Sequence, residues 1–233
     1  MKIIITGPYH AGKSTFVKNF CKESMNLEKV GVEGPTTVAL DFGTREFQDQ
    51  KLSVFGTPGK TRFSIVREIL SLGADGIVFV VDSSNPKLDE EAKVIWGEIS
   101  NLLPETPKVV AANKQDEPTA RSIEQLIRDM PFLKDHKIIP TVAKDNSGLD
   151  EVMNYLLKQS INKIVPLLSK LNEFHGQIKG VEKLSKSMKK STTEIRSYLR
   201  WLENRYLVQI DWRHHIYWLS SSIKKILDDM AKK

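Results

Sequence analysis

The sequence predicts an α/β fold, a mostly parallel six-stranded sheet with helices on both faces, followed by a smaller domain of helices and one hairpin. Three observations carry this reading. Apolar strand-like runs alternate with helical patterns from residue 1 to about 165. A glycine-rich loop links the first strand to the first helix. Beyond Pro166 the alternation stops and the charge balance changes. Residues 167–233 hold 14 Lys and Arg against 7 Asp and Glu, a net +7, whereas residues 1–166 hold 21 against 22, a net −1. The expected domains are therefore 1–165 and 167–233.

Strands are expected at 2–6, 37–47, 51–56, 76–82, 108–113 and 138–143, where short apolar or alternating runs are bounded by polar and turn residues. Helices are expected at 13–23, 63–72, 88–102, 121–130 and 149–165. A polar turn near Gln48-Asp49 separates 37–47 from 51–56 by too little chain for a crossover, so that pair is antiparallel. In the tail, Ile195, Tyr198, Leu199 and Leu202 follow helical spacing, and Ser191 and Glu194 before them have capping-box spacing. "LVQIDWRHHIYWLS" reads as two strands about a turn at Asp211 to His214. Ile223, Ile226, Leu227 and Met230 begin a last helical face.

Composition excludes some classes. The longest strongly apolar run, Gly76 to Val81, is far short of the roughly 20 residues a membrane helix needs. Lys2 argues against N-myristoylation, and no Cys near the C-terminus could be prenylated. The single cysteine, Cys21, cannot form an internal disulfide and fits a cytoplasmic location, where it reads as a buried helix residue. The basic tail points to a polyanion partner or to a solvated lysine-rich face.

Two motifs carry chemistry. "GPYHAGKST", Gly7 to Thr15, follows a strand and opens a helix. In this context backbone N–H groups of Gly7, Tyr9, His10, Ala11 and Gly12 and of the helix start face phosphates. Lys13 would reach the β- and γ-phosphates, the Ser14 hydroxyl would ligate magnesium, and Thr15 continues the cradle. "NKQD", Asn113 to Asp116, directly follows the apolar strand Val109 to Ala112. A carboxylate at Asp116 accepts from N1–H and the exocyclic amine of guanine, a donor pair that adenine lacks. Lys114 accompanies it, and Val142, Ala143 and Lys144, at the end of the next strand, would buttress the base.

Over about residues 1–165 these motifs make the chain resemble the small GTPases of the Ras superfamily, a P-loop fold. It is most similar to the bacterial and archaeal group carrying "TTVALDFG" and "FGTPG", with gliding-motility GTPases as more distant relatives. The resemblance implies a switch that binds GTP, GDP and Mg2+. It also implies that Thr37, or alternatively Thr36, binds magnesium and the γ-phosphate, and that the Gly59 amide senses the γ-phosphate.

The chain departs from the Asp-x-x-Gly-Gln pattern of that superfamily at two positions. Gly56 stands at the Asp position and Lys60 at the Gln position. If strands 37–47 and 51–56 form a hairpin centred near Gln48-Asp49, Asp41 and Gly56 face each other on one side of the sheet. Asp41 would then supply the missing carboxylate to the magnesium shell; otherwise it is an ordinary exposed strand residue. Lys60 donates hydrogen bonds but accepts none, so it cannot orient water as glutamine does, although it can neutralise γ-phosphate charge. Slow intrinsic hydrolysis follows, with help from a partner or from His10, Arg45 or Arg62.

The tail resembles a winged helix-turn-helix domain over roughly residues 167–222. If it binds duplex DNA, Lys189, Lys190, Thr193, Arg196 and Arg200 are the helix contacts, and Arg213 and His214 lie at the wing tip. Trp201, Trp212 and Trp218 read as packing residues rather than base-stacking platforms. The expected function is a GTPase switch governing a winged helix that engages DNA or a protein, with a regulatory or effector protein as a further partner. The alternatives are a DNA-binding regulator that holds GTP as a ligand with negligible hydrolysis, and a non-DNA scaffold or polarity GTPase.

Overall fold

In the computed structural model the described residues are 1–21, 23–29, 38–48, 50–162, 165–173, 181–204, 207–214, 216–220, 223–224 and 227. The chain divides into two compact units, Met1–Arg45 with Leu52–Ser160, and Glu46–Lys51 with Ile161–Lys233. In chain order the first elements are β1 (Lys2–Thr6), α1 (Lys13–Phe20), β2 (Glu23–Lys29), β3 (Val38–Phe47) and β4 (Gln50–Gly56). They are followed by α2 (Ser64–Ser71), β5 (Gly76–Asp82), α3 (Asp89–Leu102), β6 (Lys108–Asn113), α4 (Ile123–Asp129), β7 (Ile138–Pro140) and α5 (Leu149–Asn162).

All six expected strands form, and they join a seventh in one sheet ordered β2-β3-β4-β1-β5-β6-β7. The pairs β4-β1, β1-β5, β5-β6 and β6-β7 are parallel. The added strand, β2, pairs antiparallel with β3 from Glu23↔Thr44 to Lys29↔Val38. It replaces the end of the helix expected over 13–23, which stops at Phe20. "ESMNLEK" has no β-branched residue and alternates only over Ser24 to Glu28, so pairing with β3 contributes more to its strand state than its own propensity.

β5 is buried along its whole length, as a central parallel strand covered on both faces must be. On one face Phe79 and Val81 meet Ile95 and Trp96 of α3 together with Leu126 of α4. Phe79 and Trp96 pack edge to face with centroids 4.9 Å apart. Ile4, Ile77 and Ile99 form a second buried cluster. Cys21 is buried just beyond α1, and burial pushes its thiol up to about 11, which keeps it protonated and unreactive at neutral pH. Among the described residues no helix is long and apolar enough to cross a membrane.

The second unit contains α6 (Val165–Glu173), α7 (Val181–Met188) and α8 (Thr192–Glu203), then the antiparallel pair β8 (Val208–Asp211) and β9 (Ile216–Leu219). The capping box is present: the Glu194 N–H donates to Ser191 Oγ at 3.2 Å, and the Ser191 N–H donates to Glu194 Oε2 at 2.8 Å. Leu168, Leu171, Leu184, Ile195, Leu199, Leu202, Val208 and Leu219 belong to its core. Of the last expected helical face, Ile226 and Met230 lie outside the described residues.

Candidate functional site

β1 delivers the chain to the loop Gly7–Gly12 at the point where the sheet order reverses, with β4 on one side of β1 and β5 on the other. Gly12 caps α1 in a left-handed conformation, with no side chain bonding the first amides and no acidic residue in the first turn. The helix start thus offers unpaired N–H donors and a positive dipole end to an anion. Lys13 is 7% exposed, and its ammonium donates to the Pro8 carbonyl at 2.5 Å.

A cavity of about 690 Å³ opens over this loop. Its walls include Tyr9, His10, Gly12, Lys13, Ser14 and Thr15, then Asp41, then Thr57 to Lys60, Arg62 and Phe63, and Lys114. Asp41 is 7% exposed and lies against Gly56, where an added Cβ would sit 2.9 Å from Asp41 Cβ and 3.0 Å from its Oδ2. The absence of a side chain at Gly56 is what admits the Asp41 carboxylate. β4 runs beside β1, with Gly56 next to Ile5 and the buried Thr57 hydroxyl donating to Thr6 Oγ1 at 2.8 Å. That pairing holds residues 57–60 against the phosphate loop. Gly59 approaches so closely that an added Cβ would lie 2.6 Å from Lys13 Nζ and 2.6 Å from the Tyr9 amide nitrogen.

Asn113 joins the second motif to the first. Its amide donates to the Ala11 carbonyl at 2.8 Å, and its Oδ1 accepts from the Ala143 N–H at 2.9 Å and the Thr141 hydroxyl at 3.4 Å. Lys114 pairs with Asp82 at 2.5 Å. Asp116 pairs with Lys144, whose ammonium holds the Asp116 carboxyl below its ordinary range and is itself raised in return. Val142 bridges to Ser147 and keeps the 141–147 turn closed.

Other expected residues are placed as follows. Lys60 is exposed, with its ammonium 4.8 Å from the centre of the Tyr9 ring. His10 packs against Tyr9 with ring centres 3.8 Å apart and planes tilted by 54°, and Arg62 lies over Phe63. Arg45 is a correction: it bonds Asp150 at 2.9 Å and the Phe20 carbonyl at 3.2 Å, lies over the Phe20 ring and does not line the cavity. Phe20 and Asp150 give the guanidinium a stacking surface and a counter-charge away from the phosphate loop. Thr36 and Thr37 lie outside the described residues.

Four participants were missed by sequence reasoning. Asn19 donates from α1 to the Ala143 and Lys144 carbonyls at 2.8 and 3.2 Å. Asp82 receives Lys114 and caps the turn at Ser84. Glu91 of α3 accepts from the Tyr9 N–H at 3.1 Å. Arg67 is a buried guanidinium behind residues 58–61.

Burial lowers the Lys13 pKa to about 8, a shift that Glu91 and Asp41 reduce and Arg67 adds to. A bound phosphate would restore the charged form. Below pH 8 Lys13 is then charged in both the free and bound protein; above it, binding must take up a proton. GDP affinity is therefore expected to fall as pH rises from 8 to 9.5, by up to about tenfold per unit, with little change from pH 6.5 to 7.5. Calorimetric titration in buffers of different ionisation enthalpy checks this, and Lys13→Met should remove the proton uptake.

In the second unit, Lys189, Thr193, Arg196, Arg200, Arg213 and His214 are exposed and Lys190 is half-buried. Lys190 lies 3.8 Å from Glu194 and over the Tyr198 ring. Trp201 packs against the core, as expected. Trp212 and Trp218, both on the hairpin, are 36% and 48% exposed. Trp212 sits at the turn, where its indole N–H donates to Glu203 at 2.9 Å and its ring carries Arg200, polar anchors that hold it at the surface.

The sequence model of the Ras family matches residues 2–162. The chain belongs to the Ras family. Among similar proteins, uncharacterized protein MJ1339 of Methanocaldococcus jannaschii is 27% identical over 163 residues, covering 69% of this chain and 97% of the relative. Ras-related protein RabC of Dictyostelium discoideum is 25% identical and covers 77% and 95% of the two chains. Mutual gliding-motility protein MglA of Myxococcus xanthus is 24% identical and covers 70% and 91%. This Ras-family domain thus has archaeal and bacterial homologues as well as eukaryotic ones, and its membership supports a GTP-binding switch.

Proposed function

We propose that the protein is a guanine-nucleotide switch and a slow Mg2+-dependent GTPase whose nucleotide state governs a C-terminal winged helix that binds duplex DNA. The observation that carries the nucleotide part is the link made by Asn113, which ties the loop before Lys13 to the segment carrying Ala143 through a buried side chain. Phosphate site and base site are thereby one rigid unit.

In this reading Lys13 and the amides of Gly7 to Thr15 hold the phosphates, and Asp116, Lys114 and residues 142–144 hold guanine. Guanine would displace or share the Lys144 ammonium on Asp116. Ser14, Thr37 and Asp41 would hold magnesium, which when bound supplies charge neutralisation to the β- and γ-phosphates. The fit rests on Asp41 and Ser14 lining one cavity and on the space that Gly56 leaves. Gly59 would donate to the γ-phosphate, and loss of that phosphate would release Thr37 and Gly59 together. Lys60 contributes charge but no acceptor for the attacking water. A partner-free turnover near 1 per second, on the order of what activated GTPases reach, would contradict slow hydrolysis.

For the second unit, the helix–helix–helix–ribbon order and the exposed Lys189, Arg196, Arg200 and Arg213 support a winged helix reading DNA through phosphates. A second reading, a protein partner, is favoured by the exposed Tyr198, Trp212 and Trp218. Duplex-DNA affinity, measured with GDP and with a non-hydrolysable GTP analogue at two salt concentrations, tests the choice. Salt-dependent binding that differs between nucleotides supports the DNA switch; identical weak binding in all four conditions contradicts it.

A further inference from the structure

α2 has its arginine inside. Arg67 is 1% exposed, while Ile65 and Ile69 of the same helix are 70% and 62% exposed. The guanidinium is fully employed. Nη1 donates to the Pro58 carbonyl at 3.2 Å and to the Lys60 carbonyl at 2.7 Å, and Nη2 donates to the Thr61 carbonyl at 3.1 Å. Nε and Nη2 both donate to Glu98 Oε2 of α3, at 3.0 and 2.5 Å. One side chain thus grips the main chain on both sides of Gly59 and ties it to α3.

We propose that Arg67, held by Glu98, is a positioning residue that fixes the direction of the Gly59 amide and so sets how strongly the site distinguishes GTP from GDP. The inference rests on the reading that Gly59 meets the γ-phosphate. The physical link is the peptide plane. The Pro58 carbonyl and the Gly59 N–H belong to one peptide unit, and in a trans peptide they point in opposite directions. Holding the carbonyl against the buried guanidinium turns the N–H away from Arg67. Gly59 lines the cavity and Arg67 does not. A flipped peptide would break a charge-assisted bond in a site closed to water. The Lys60 and Thr61 bonds stop the rest of the loop from following such a flip. Glu98 fixes two of the guanidinium nitrogens in the fork geometry that a lysine cannot reproduce.

The test compares GDP with a non-hydrolysable GTP analogue, in Mg2+ buffer, on the full chain and on Arg67→Lys, Glu98→Gln and Lys13→Ala. Arg67→Lys should weaken the GTP analogue about tenfold, and Glu98→Gln about threefold, with GDP unchanged within about twofold. A purely structural role would lower the melting temperature and weaken both nucleotides alike, and that result overturns the latch. Unchanged affinities in both variants also overturn it. If Arg67→Lys does not fold, the half-exposed Glu98 decides the matter through Glu98→Gln alone. Wild-type protein that binds neither nucleotide, or Lys13→Ala that binds both as wild type does, overturns the nucleotide site itself and the latch with it. Binding by wild type that is lost in Lys13→Ala isolates the latch as the only claim at stake.

Discussion

Asp116→Asn is expected to lower GTP and GDP affinity by about 10³- to 10⁴-fold and to raise affinity for the xanthosine nucleotides. A carboxylate offers two acceptors to the guanine edge, whereas a carboxamide offers one acceptor and one donor. Against guanine the amide's N–H₂ would face another donor, leaving both unpaired in a partly desolvated site, which is the mismatch that sites reject most strongly. Xanthine carries a carbonyl where guanine carries its amine, so the new donor finds an acceptor. Because guanine would have to displace or share the Lys144 ammonium on Asp116, loss of that pair in the variant offsets a small part of the effect. Competition titrations with the four nucleotides check the exchange of preference. Loss of GTP binding without gain of xanthosine binding would indicate damage to the loop rather than altered base reading.

The second large effect concerns Asp41 and Gly56. Asp41→Ala is expected to weaken Mg2+-supported GDP binding by about 10- to 100-fold, the range for removing a group that orients a metal's shell, and to leave binding in EDTA unchanged. Gly56→Asp should be at least as harmful, since its Cβ would fall 2.9 Å from Asp41 Cβ and bring two carboxylates together. The double variant Asp41→Gly with Gly56→Asp moves the carboxylate back to β4 and should recover most of the Mg2+ effect. Nucleotide dissociation rates with Mg2+ and with EDTA would show it. Full Mg2+ support in Asp41→Ala contradicts the relocation.

The parts of the molecule that were legible in the sequence are those where a residue type has one physical use. Gly7 to Ser14 after an apolar strand, and Asn113 to Asp116 after another, carry in that context the expectation of backbone and carboxylate recognition, and Asn113 joins the two segments in the structure. The hairpin register was legible too, because a short turn between two strands fixes which residues face each other, and it placed Asp41 against Gly56. β2 was not, since its strand state is imposed by β3. Arg67 was hidden for a different reason. The helical pattern over 63–72 does not show which face turns inward, and three main-chain carbonyls with Glu98 make the inside the better place for the guanidinium. Arg45 was misplaced because arginine is useful wherever a carboxylate and a ring coincide, as Asp150 and Phe20 do. Trp212 stands at the hairpin turn, where its indole N–H donates to Glu203, a contact with no signature in the sequence.

Buried charges in the site follow the same logic. Desolvation lowers the Lys13 pKa to about 8, so only above that pH does its charge depend on a nearby anion. Glu91 and Asp41 partly offset that burial before any nucleotide arrives. The site therefore holds a lysine that gains most from the ligand it is placed to meet.

Base recognition is decided by calorimetric titration of the purified chain with GDP, a non-hydrolysable GTP analogue, ADP and a non-hydrolysable ATP analogue in Mg2+ buffer. Both guanine nucleotides should bind at least about 10³-fold more tightly than their adenine counterparts. Equal affinity for the two bases, or no binding of either guanine nucleotide, would contradict it.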